Sequence, residues 1–230
     1  MRRLVPALLV ASFVACAQGN LEAQRERMVR QHIEQRGVRD RRVLEAMRKT
    51  PRHLFVPEGL RAMAYADQPL PIGHGQTISQ PYIVAFMTEL LELKPDQKAL
   101  EIGTGSGYQA AVLSHLVGHL YTIEIVPELA RSSAPLLKQL GYKNVTVRDG
   151  DGYKGWPEQA PFDRILLTAA PPEIPQALLE QLKPGGRLVA PVGASVFEQE
   201  LVVIDKDKDG KLHRRPSLPV RFVPMVRGKE

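Results

Sequence analysis

A glycine-rich turn is the first feature of this sequence that can take part in chemistry. Gly103, Gly105 and Gly107 alternate with Thr104 and Ser106, directly after the short predicted strand 99–102. Glycine at such a turn lets a ligand approach the backbone closely. A dinucleotide-binding fingerprint requires glycine at the sixth position of GxGxxG, where this chain has a tyrosine. The turn therefore predicts a small-molecule site that is not built for a nicotinamide cofactor.

The charge beside this turn indicates which ligand suits it. Glu101 lies two residues before Gly103, where a carboxylate would repel a pyrophosphate and attract a cation. S-adenosyl-L-methionine carries a sulfonium and an ammonium group and no phosphate. We therefore predict that Glu101, Gly103 and Gly105 bind this cofactor.

Two further acidic turns follow the next two predicted strands. Glu124 lies about 20 residues after the first glycine, an interval at which a carboxylate can accept hydrogen bonds from ribose hydroxyls. We predict that role for Glu124, with a solvated strand end as the alternative. In the later turn, Asp149 and Asp151 each precede a glycine, and a carboxylate there can accept from the adenine amino group. Asp-Gly pairs also favour plain turns, so this second interpretation stays open.

A fourth block, residues 73–81, contains two hydroxyl side chains, Thr77 and Ser79. Ser79 precedes Pro81 closely enough to be the N-cap of the helix that follows. Capping accounts for Ser79 alone and leaves Gly73, Gly75 and Thr77 unexplained. The residues alone therefore leave the role of this block open.

Strands and helices alternate through most of the chain, which predicts an α/β fold with a doubly wound, mostly parallel sheet. The predicted helices are 21–36, a short helix capped by Asp40, 81–93, 107–117, 127–141 and 175–182. The predicted strands are 99–102, 120–125, 145–147, 162–168 and 187–192, with a terminal antiparallel hairpin from 201 onward; residues 55–72 are expected to be irregular. Ligands of such folds bind at the carboxyl ends of the strands, so the site should lie in the loops after residues 102, 125, 147 and 168.

We divide the chain into a signal-like leader (residues 1–20), an N-terminal helical cap that contributes to the substrate site (residues 21–95) and a cofactor-binding core with the hairpin (residues 96–230). In the leader, Arg2 and Arg3 precede an apolar run, and Ala15-Cys16-Ala17 follows. This layout is typical of a secretory signal or of a lipid anchor at Cys16, and is too short for a membrane span. The alternative is a true start at Met28 and a cytoplasmic protein. We favour the cytoplasm because S-adenosyl-L-methionine is made there.

Composition argues against nucleic acid and metal partners. The net charge is +6, but basic residues are interspersed with acidic ones, and no stripe of aromatic and basic residues supports nucleic-acid binding. The single cysteine excludes an internal disulfide. His115 and His119 have helical spacing but no neighbouring ligands in sequence, so we expect no metal.

Four blocks of this sequence together resemble the protein-L-isoaspartate O-methyltransferase family. They are residues 51–57, residues 75–81, the glycine turn and residues 183–188. The Gly-Gln-Thr-Ile-Ser-Gln-Pro block at 75–81 is specific to that family, whereas most methyltransferases share the glycine turn. The resemblance extends from about Met28 to Met225. The departures from it are the leader and Arg148.

The resemblance implies a Rossmann-like class I methyltransferase that acts on damaged proteins and peptides. Its reaction would transfer a methyl group from S-adenosyl-L-methionine to the free carboxylate of L-isoaspartyl residues, and the ester would lead back to aspartate through a succinimide. By resemblance, Ser79 is the active-site serine, Asp151 rather than Asp149 takes the adenine role, and the segment 220–224, with Val223, helps to hold the substrate backbone. We expect a monomer.

The expected chemistry needs no strong base, because a carboxylate with a pKa of about 4 is already ionised at neutral pH. The protein would act by alignment, with Ser79 and Thr77 as hydrogen-bond donors. Two alternatives remain at this point. One is a class I methyltransferase that acts on another carboxylate, a small molecule or RNA, and the other is a binding protein with a relic cofactor site.

Overall fold

The computed structural model describes residues 20–228, so the predicted leader lies outside the described part except for Asn20. A seven-stranded sheet forms the centre of the molecule, in the order β5-β4-β3-β6-β7-β8-β9. Its first five strands are parallel, and β8 and β9 are antiparallel additions at one edge. The strands are β3 (Lys98–Ile102), β4 (His119–Glu124), β5 (Val145–Asp149), β6 (Phe162–Leu167), β7 (Leu182–Val192), β8 (Gln199–Lys206) and β9 (Leu212–Val220). The predicted fold class is confirmed.

The central strands are buried on both faces, which is why they read as continuous apolar runs. Alternate residues of each strand enter different clusters. In β3, Ala99 packs into one cluster, and Leu100 and Ile102 pack into the other. The first cluster also contains the N-terminal helices, and the second contains Leu178 of the helix before β7. The sheet therefore separates two apolar layers.

Within residues 20–228, six α-helices cover the sheet and its N-terminal approach. The first, α1, covers residues 20–28 and continues through a π turn (Val29–Ile33) and a 3₁₀ turn (Glu34–Arg36), ending at Gly37 with φ of 106°. Asp40 caps α2 as predicted, since its side chain accepts from the Arg42 amide at 2.8 Å. The remaining helices are α2 (Arg41–Lys49), α3 (Pro81–Leu90), α4 (Tyr108–Ser114), α5 (Pro127–Gln139) and α6 (Gln176–Gln181).

The expectation that residues 55–72 are irregular was wrong in two places. Glu58–Met63 forms a 3₁₀ helix, and Leu70–Gly73 forms strand β1, which pairs with β2 (Gln76–Ile78) as a separate hairpin. His74 and Gly75, between the strands, both have positive φ, of 53° and 70°. Two successive left-handed residues make the tight turn whose twist suits a hairpin. Strand β2 is only three residues long, so no alternating pattern could reveal it.

Strand order reverses between β3 and β6, because the chain leaves β3 toward β4 on one side and later returns to β6 on the other. A crevice at such a reversal is the usual ligand site of an open α/β sheet. The glycine turn after β3 lies at this point. In the region from 20 to 228, none of the helices has the length and apolar character needed to cross a bilayer.

Candidate active site

The glycine turn has a conformation that only glycine fits at its first position. Gly103 has φ of 102°, and a Cβ there would overlap the Thr168 hydroxyl at the end of β6. The same hydroxyl donates to the Gly103 carbonyl at 2.6 Å, and the Gly103 amide donates to the Ile123 carbonyl at 2.8 Å. The turn is therefore tied to β4 and β6 on either side of β3.

Glu124 closes the other side of this turn. It is the last residue of β4, and its carboxylate accepts from the Gly105 amide at 2.7 Å and from the Val126 amide at 2.9 Å. It is 4% exposed, yet it lines the cavity beside the turn. A carboxylate oriented by two amides still has lone pairs for ligand hydroxyls. Glu124 and the glycine turn therefore share one wall of the cavity, and the ribose role of Glu124 stays a prediction.

A cavity, called here the inner cavity, opens at the carboxyl ends of β3, β4 and β6. Its walls come from the glycine turn, Glu124, the end of β6, the β2–α3 segment and the C-terminal tail. The lining includes Thr77, Ser79, Gly103, Gly105, Glu124, Ile125, Gly152, Thr168, Val223, Met225 and Val226. The bare backbone of the turn, with a carboxylate opposite, fits a cationic cofactor that carries a ribose.

Glu101 lies beneath the turn and not in the lining of the inner cavity. Its side chain is fully buried, accepts from Thr122 Oγ1 at 2.6 Å, and leaves its Oε1 without a partner within residues 20–228. Burial raises the pKa of Glu101 to about 8, and the Thr122 hydrogen bond opposes that rise. Thr122 also bonds the Thr104 hydroxyl at 2.7 Å, so Glu101 reaches the turn through two hydroxyl groups.

Asp151 also lies next to the cavity. Its Oδ1 accepts from the Tyr153 amide at 2.9 Å and caps the short 3₁₀ helix Gly152–Lys154, while its neighbour Gly152 lines the cavity. The structure therefore places Gly103, Gly105 and Glu124 at the cavity wall, Glu101 buried beneath the turn, and Asp151 beside the lining residue Gly152.

A second cavity, called here the outer groove, lies between the β2–α3 segment and the C-terminal strands. Arg36, Tyr82, Phe197, Arg221 and Phe222 are among its lining residues. Four residues line both the outer groove and the inner cavity: Thr77, Ser79, Thr168 and Val223. The predicted substrate residues Thr77, Ser79 and Val223 are therefore together at the junction of the two cavities.

The C-terminal tail is held against the sheet at this junction. The Ala170 amide donates to the Val223 carbonyl at 2.9 Å, and the Met225 amide donates to the Ala170 carbonyl at 2.8 Å. Tyr153 Oη donates to the Met225 carbonyl at 3.2 Å. Thr168 and Met225 are wall residues that were not predicted from the sequence. The position of Thr168 at a strand end was a usable signal, whereas nothing local marks Met225.

The two histidines with helical spacing, His115 and His119, contact different neighbours. His119 begins β4 and its Nε2 lies 2.9 Å from Thr146 Oγ1, whereas His115 packs edge-on against Tyr142. Across residues 20–228, no three side chains of metal-ligating type come together.

Known proteins match this chain over nearly its whole length. The sequence model of the protein-L-isoaspartate(D-aspartate) O-methyltransferase family matches residues 23–230. A protein-L-isoaspartate O-methyltransferase of Synechococcus sp. is 57% identical over 210 residues, covering 89% of this chain and 86% of that protein. The protein of the same name from Opitutus terrae is 54% identical over 222 residues, covering 96% and 95%.

Solved structures agree with these matches. One protein-L-isoaspartate O-methyltransferase has a TM-score of 0.78 at 31% identity, covering 87% of this chain, and this chain spans 65% of its length. A structure from Plasmodium falciparum described as a beta-aspartate methyltransferase, in complex with S-adenosyl-L-homocysteine, has a TM-score of 0.75 at 24% identity and covers 88% of this chain. The sequence matches and the first of these structures place this chain in the protein-L-isoaspartate(D-aspartate) O-methyltransferase family.

Proposed function

We propose that this chain transfers the methyl group of S-adenosyl-L-methionine to the free carboxylate of L-isoaspartyl residues in damaged proteins, at the junction of the inner cavity and the outer groove. Its family acts on isoaspartyl proteins, and its cofactor is S-adenosyl-L-methionine. The observation that carries the location is the shared wall, because Thr77, Ser79, Thr168 and Val223 face both cavities. Methyl transfer needs a donor site and an acceptor site that meet at one point.

The donor side is the inner cavity. When bound, the cofactor supplies an electrophilic methyl group on its sulfonium. Gly103 and Gly105 provide backbone that a ligand can approach closely, and Glu124 provides the acceptor for the ribose hydroxyls. We assign Glu101 to an indirect role in cofactor binding through Thr122 and Thr104, and Asp151 to the adenine end, where it precedes Gly152 in the cavity wall.

The acceptor side is the outer groove. Ser79 and Thr77 line it where it meets the inner cavity, and we assign their hydroxyls to donate hydrogen bonds to the incoming carboxylate. Val223 of the tail lines the same junction. Hydroxyl groups orient the nucleophile without the strong charge that would weaken it. We propose that residues 21–95 contribute Thr77 and Ser79 to the acceptor side, and that residues 96–230 supply the cofactor-binding core, Val223 and the C-terminal wall of the groove.

The chemistry needs no base from the protein. The substrate carboxylate is ionised at neutral pH, so one oxygen attacks the methyl group directly. Opposite charges neutralise each other as the new C–O bond forms and the methyl–sulfur bond breaks, with its electron pair kept by the sulfur as a neutral thioether. Exclusion of water from the junction therefore favours the reaction. The ester later loses methoxide, which leaves as methanol with the proton of the neighbouring amide, when that amide nitrogen closes a succinimide.

We further propose that the chain works as a monomer in the cytoplasm, without nucleic acid. The support for this is the mixed distribution of charge and the need for a compartment that contains the cofactor. The mass of the native protein in solution and the location of a tagged full chain are the corresponding measurements.

The test of the reaction compares two peptides that differ only in one linkage. The purified chain and labelled S-adenosyl-L-methionine are incubated with an isoaspartyl peptide or with its normal aspartyl twin. We expect label in the isoaspartyl peptide alone. Equal labelling of both peptides, or of neither, would contradict the proposed substrate.

The role of Ser79 is tested in the same assay with Ser79→Ala. We expect kcat to fall about 10- to 100-fold, the cost of one hydrogen bond to a charged group, with affinity for S-adenosyl-L-homocysteine nearly unchanged by calorimetry. Ser132→Ala is the control, because Ser132 bonds only the Leu129 carbonyl within α5 and faces neither cavity. Equal losses of turnover and cofactor affinity in Ser79→Ala would rule out the assigned role.

A further inference from the structure

Arg52 is a charged side chain buried completely beside the proposed junction. Its exposure is 0%, and within residues 20–228 it forms no ion pair with a carboxylate. Burying a charge without compensation is costly, so a buried arginine must find other partners. Arg52 has backbone carbonyls as its partners, and it contributes nothing to the lining of either cavity.

Three carbonyls accept from the Arg52 guanidinium. Nε donates to Ala64 at 2.7 Å, Nη1 donates to Ser79 at 2.9 Å, and Nη2 donates to Gln68 at 3.2 Å. Burial lowers the pKa of Arg52 to about 10, so the group stays protonated near neutral pH and keeps all its donors. One rigid, planar group thus joins the segment 64–68 to the backbone of Ser79.

The same guanidinium also faces the donor side. It lies 5.2 Å from the ring centroid of Tyr108, a distance at which a cation is attracted to an aromatic face. Tyr108 begins α4 directly after the glycine turn and lines the inner cavity. Arg52 therefore contacts the backbone of the hydroxyl-bearing segment and the ring that follows the cofactor turn.

The segment 64–68 also forms hydrogen bonds with the residues that follow Ser79. Asp67 accepts from Gln80 Nε2 at 2.7 Å and from the Tyr82 amide at 3.0 Å. Residues 79–82 are therefore fixed to one short segment at both ends, by Arg52 at Ser79 and by Asp67 beyond it. A backbone held in this way fixes the direction from which the Ser79 hydroxyl enters the junction.

We propose that Arg52 is a positioning residue for methyl transfer, which sets the place of the Ser79 hydroxyl relative to the inner cavity by binding the Ser79 carbonyl and packing on Tyr108. This inference rests on the proposed function. A displacement of about 1 Å at a reacting group can cost up to 100-fold in rate, so the loss of Arg52 affects turnover more than binding.

The experiment uses two variants of Arg52 and one matched control in the full chain. Arg52→Lys keeps the charge but loses the fork that reaches three carbonyls, and Arg52→Met removes the buried charge together with its donors. The control is Arg164→Lys. Arg164 is also buried and also binds backbone carbonyls, those of Leu91 at 2.6 Å and Glu92 at 3.3 Å, but it lines neither cavity.

We expect kcat for the isoaspartyl peptide to fall about 10- to 100-fold in both Arg52 variants, with KM and affinity for S-adenosyl-L-homocysteine nearly unchanged. Arg164→Lys should lower the melting temperature and keep its kcat. Near-normal kcat in a folded Arg52 variant would overturn the proposal, and so would an equal loss of kcat in Arg164→Lys. Failure of both Arg52 variants to fold beside a folded Arg164→Lys would assign Arg52 to stability alone and also overturn it.

The same assay distinguishes failure of the positioning role from failure of the proposed function. If the unchanged chain does not label the isoaspartyl peptide, the proposed function fails before any variant is compared. If it does label that peptide and the Arg52 variants match it, only the positioning role fails.

Discussion

Two glutamates near the glycine turn show how neighbouring strands give one residue type different tasks. Glu101 on β3 is sealed beneath the turn and bound to Thr122, whereas Glu124 at the end of β4 lines the cavity and accepts from two amides. A carboxylate at a strand end can reach a ligand, and one in mid-strand is buried by the neighbouring strands. Substitution of Glu124 therefore tests cofactor binding, whereas substitution of Glu101 tests stability.

We predict that Glu124→Ala raises the dissociation constant for S-adenosyl-L-homocysteine about 10- to 100-fold, because a charged acceptor for ribose and for the Gly105 amide is lost. Calorimetry measures this directly. The control is Glu128→Ala, since Glu128 is an exposed residue on the next helix that pairs with Arg131. Unchanged affinity in Glu124→Ala would remove Glu124 from the cofactor site.

The elements that matter most for this site are a turn and a hairpin. The glycine turn connects β3 to α4 at the sheet's reversal point, and the β1–β2 hairpin delivers Thr77 and Ser79 from outside the sheet. The hairpin depends on left-handed residues at its tip, and the glycine turn depends on Gly103. Both elements thus rely on backbone conformations that most side chains disfavour.

We predict that Gly103→Ala destabilises the chain and weakens cofactor binding. The positive φ alone costs about 1–2 kcal/mol, and overlap with the Thr168 hydroxyl adds to that cost. The matched variant is Gly185→Ala, which has φ of 79° and open space around a new Cβ. Urea unfolding should show the larger loss for Gly103→Ala, and calorimetry should show weaker cofactor binding only there. Equal unfolding free energies would contradict the close contact with Thr168.

The fold of the whole molecule brings the C-terminal tail against the edge of the sheet that carries the glycine turn. The parallel strands bring the glycine turn, Glu124 and Thr168 to one edge, and the antiparallel pair β8–β9 leads the tail back to cover that edge through Val223 and Met225. The arrangement also buries Glu101 in the centre of the sheet, so the protonation of this side chain contributes to the stability of the fold.

We predict that stability falls as pH rises from about 5 to 9, partly because of Glu101. Burial raises the pKa of Glu101 to about 8, above its ordinary value, so the folded chain holds a proton that the unfolded chain releases. The stabilising contribution is complete below the ordinary pKa and is lost as pH passes the raised one.

Melting temperatures across this pH range should fall more for the unchanged chain than for Glu101→Gln, which cannot ionise. Glu180→Gln is the control, because Glu180 is exposed on α6 and should leave the pH dependence as it was. Parallel curves for the unchanged chain and Glu101→Gln would show that Glu101 does not titrate in this way.

The sequence by itself determined the features that depend only on residues close together in the chain. Apolar runs and glycines predicted the central strands, most helices and the glycine turn, because burial on both faces and positive φ restrict residue types strongly. The 75–81 block, through its resemblance to a family, pointed to Ser79. Three-residue β2 and the 3₁₀ helix at Glu58–Met63 escaped prediction, since neither is long enough to show a period.

Only the tertiary structure decided which residues share a wall. Two residues predicted to bind the cofactor, Glu101 and Asp151, are absent from the cavity lining, whereas Thr168 and Met225 reach it from distant parts of the chain. The meeting of Thr77, Ser79, Thr168 and Val223 depends on strand order, on the hairpin and on the path of the tail. Contacts of this kind join residues far apart in sequence, and no local pattern encodes them.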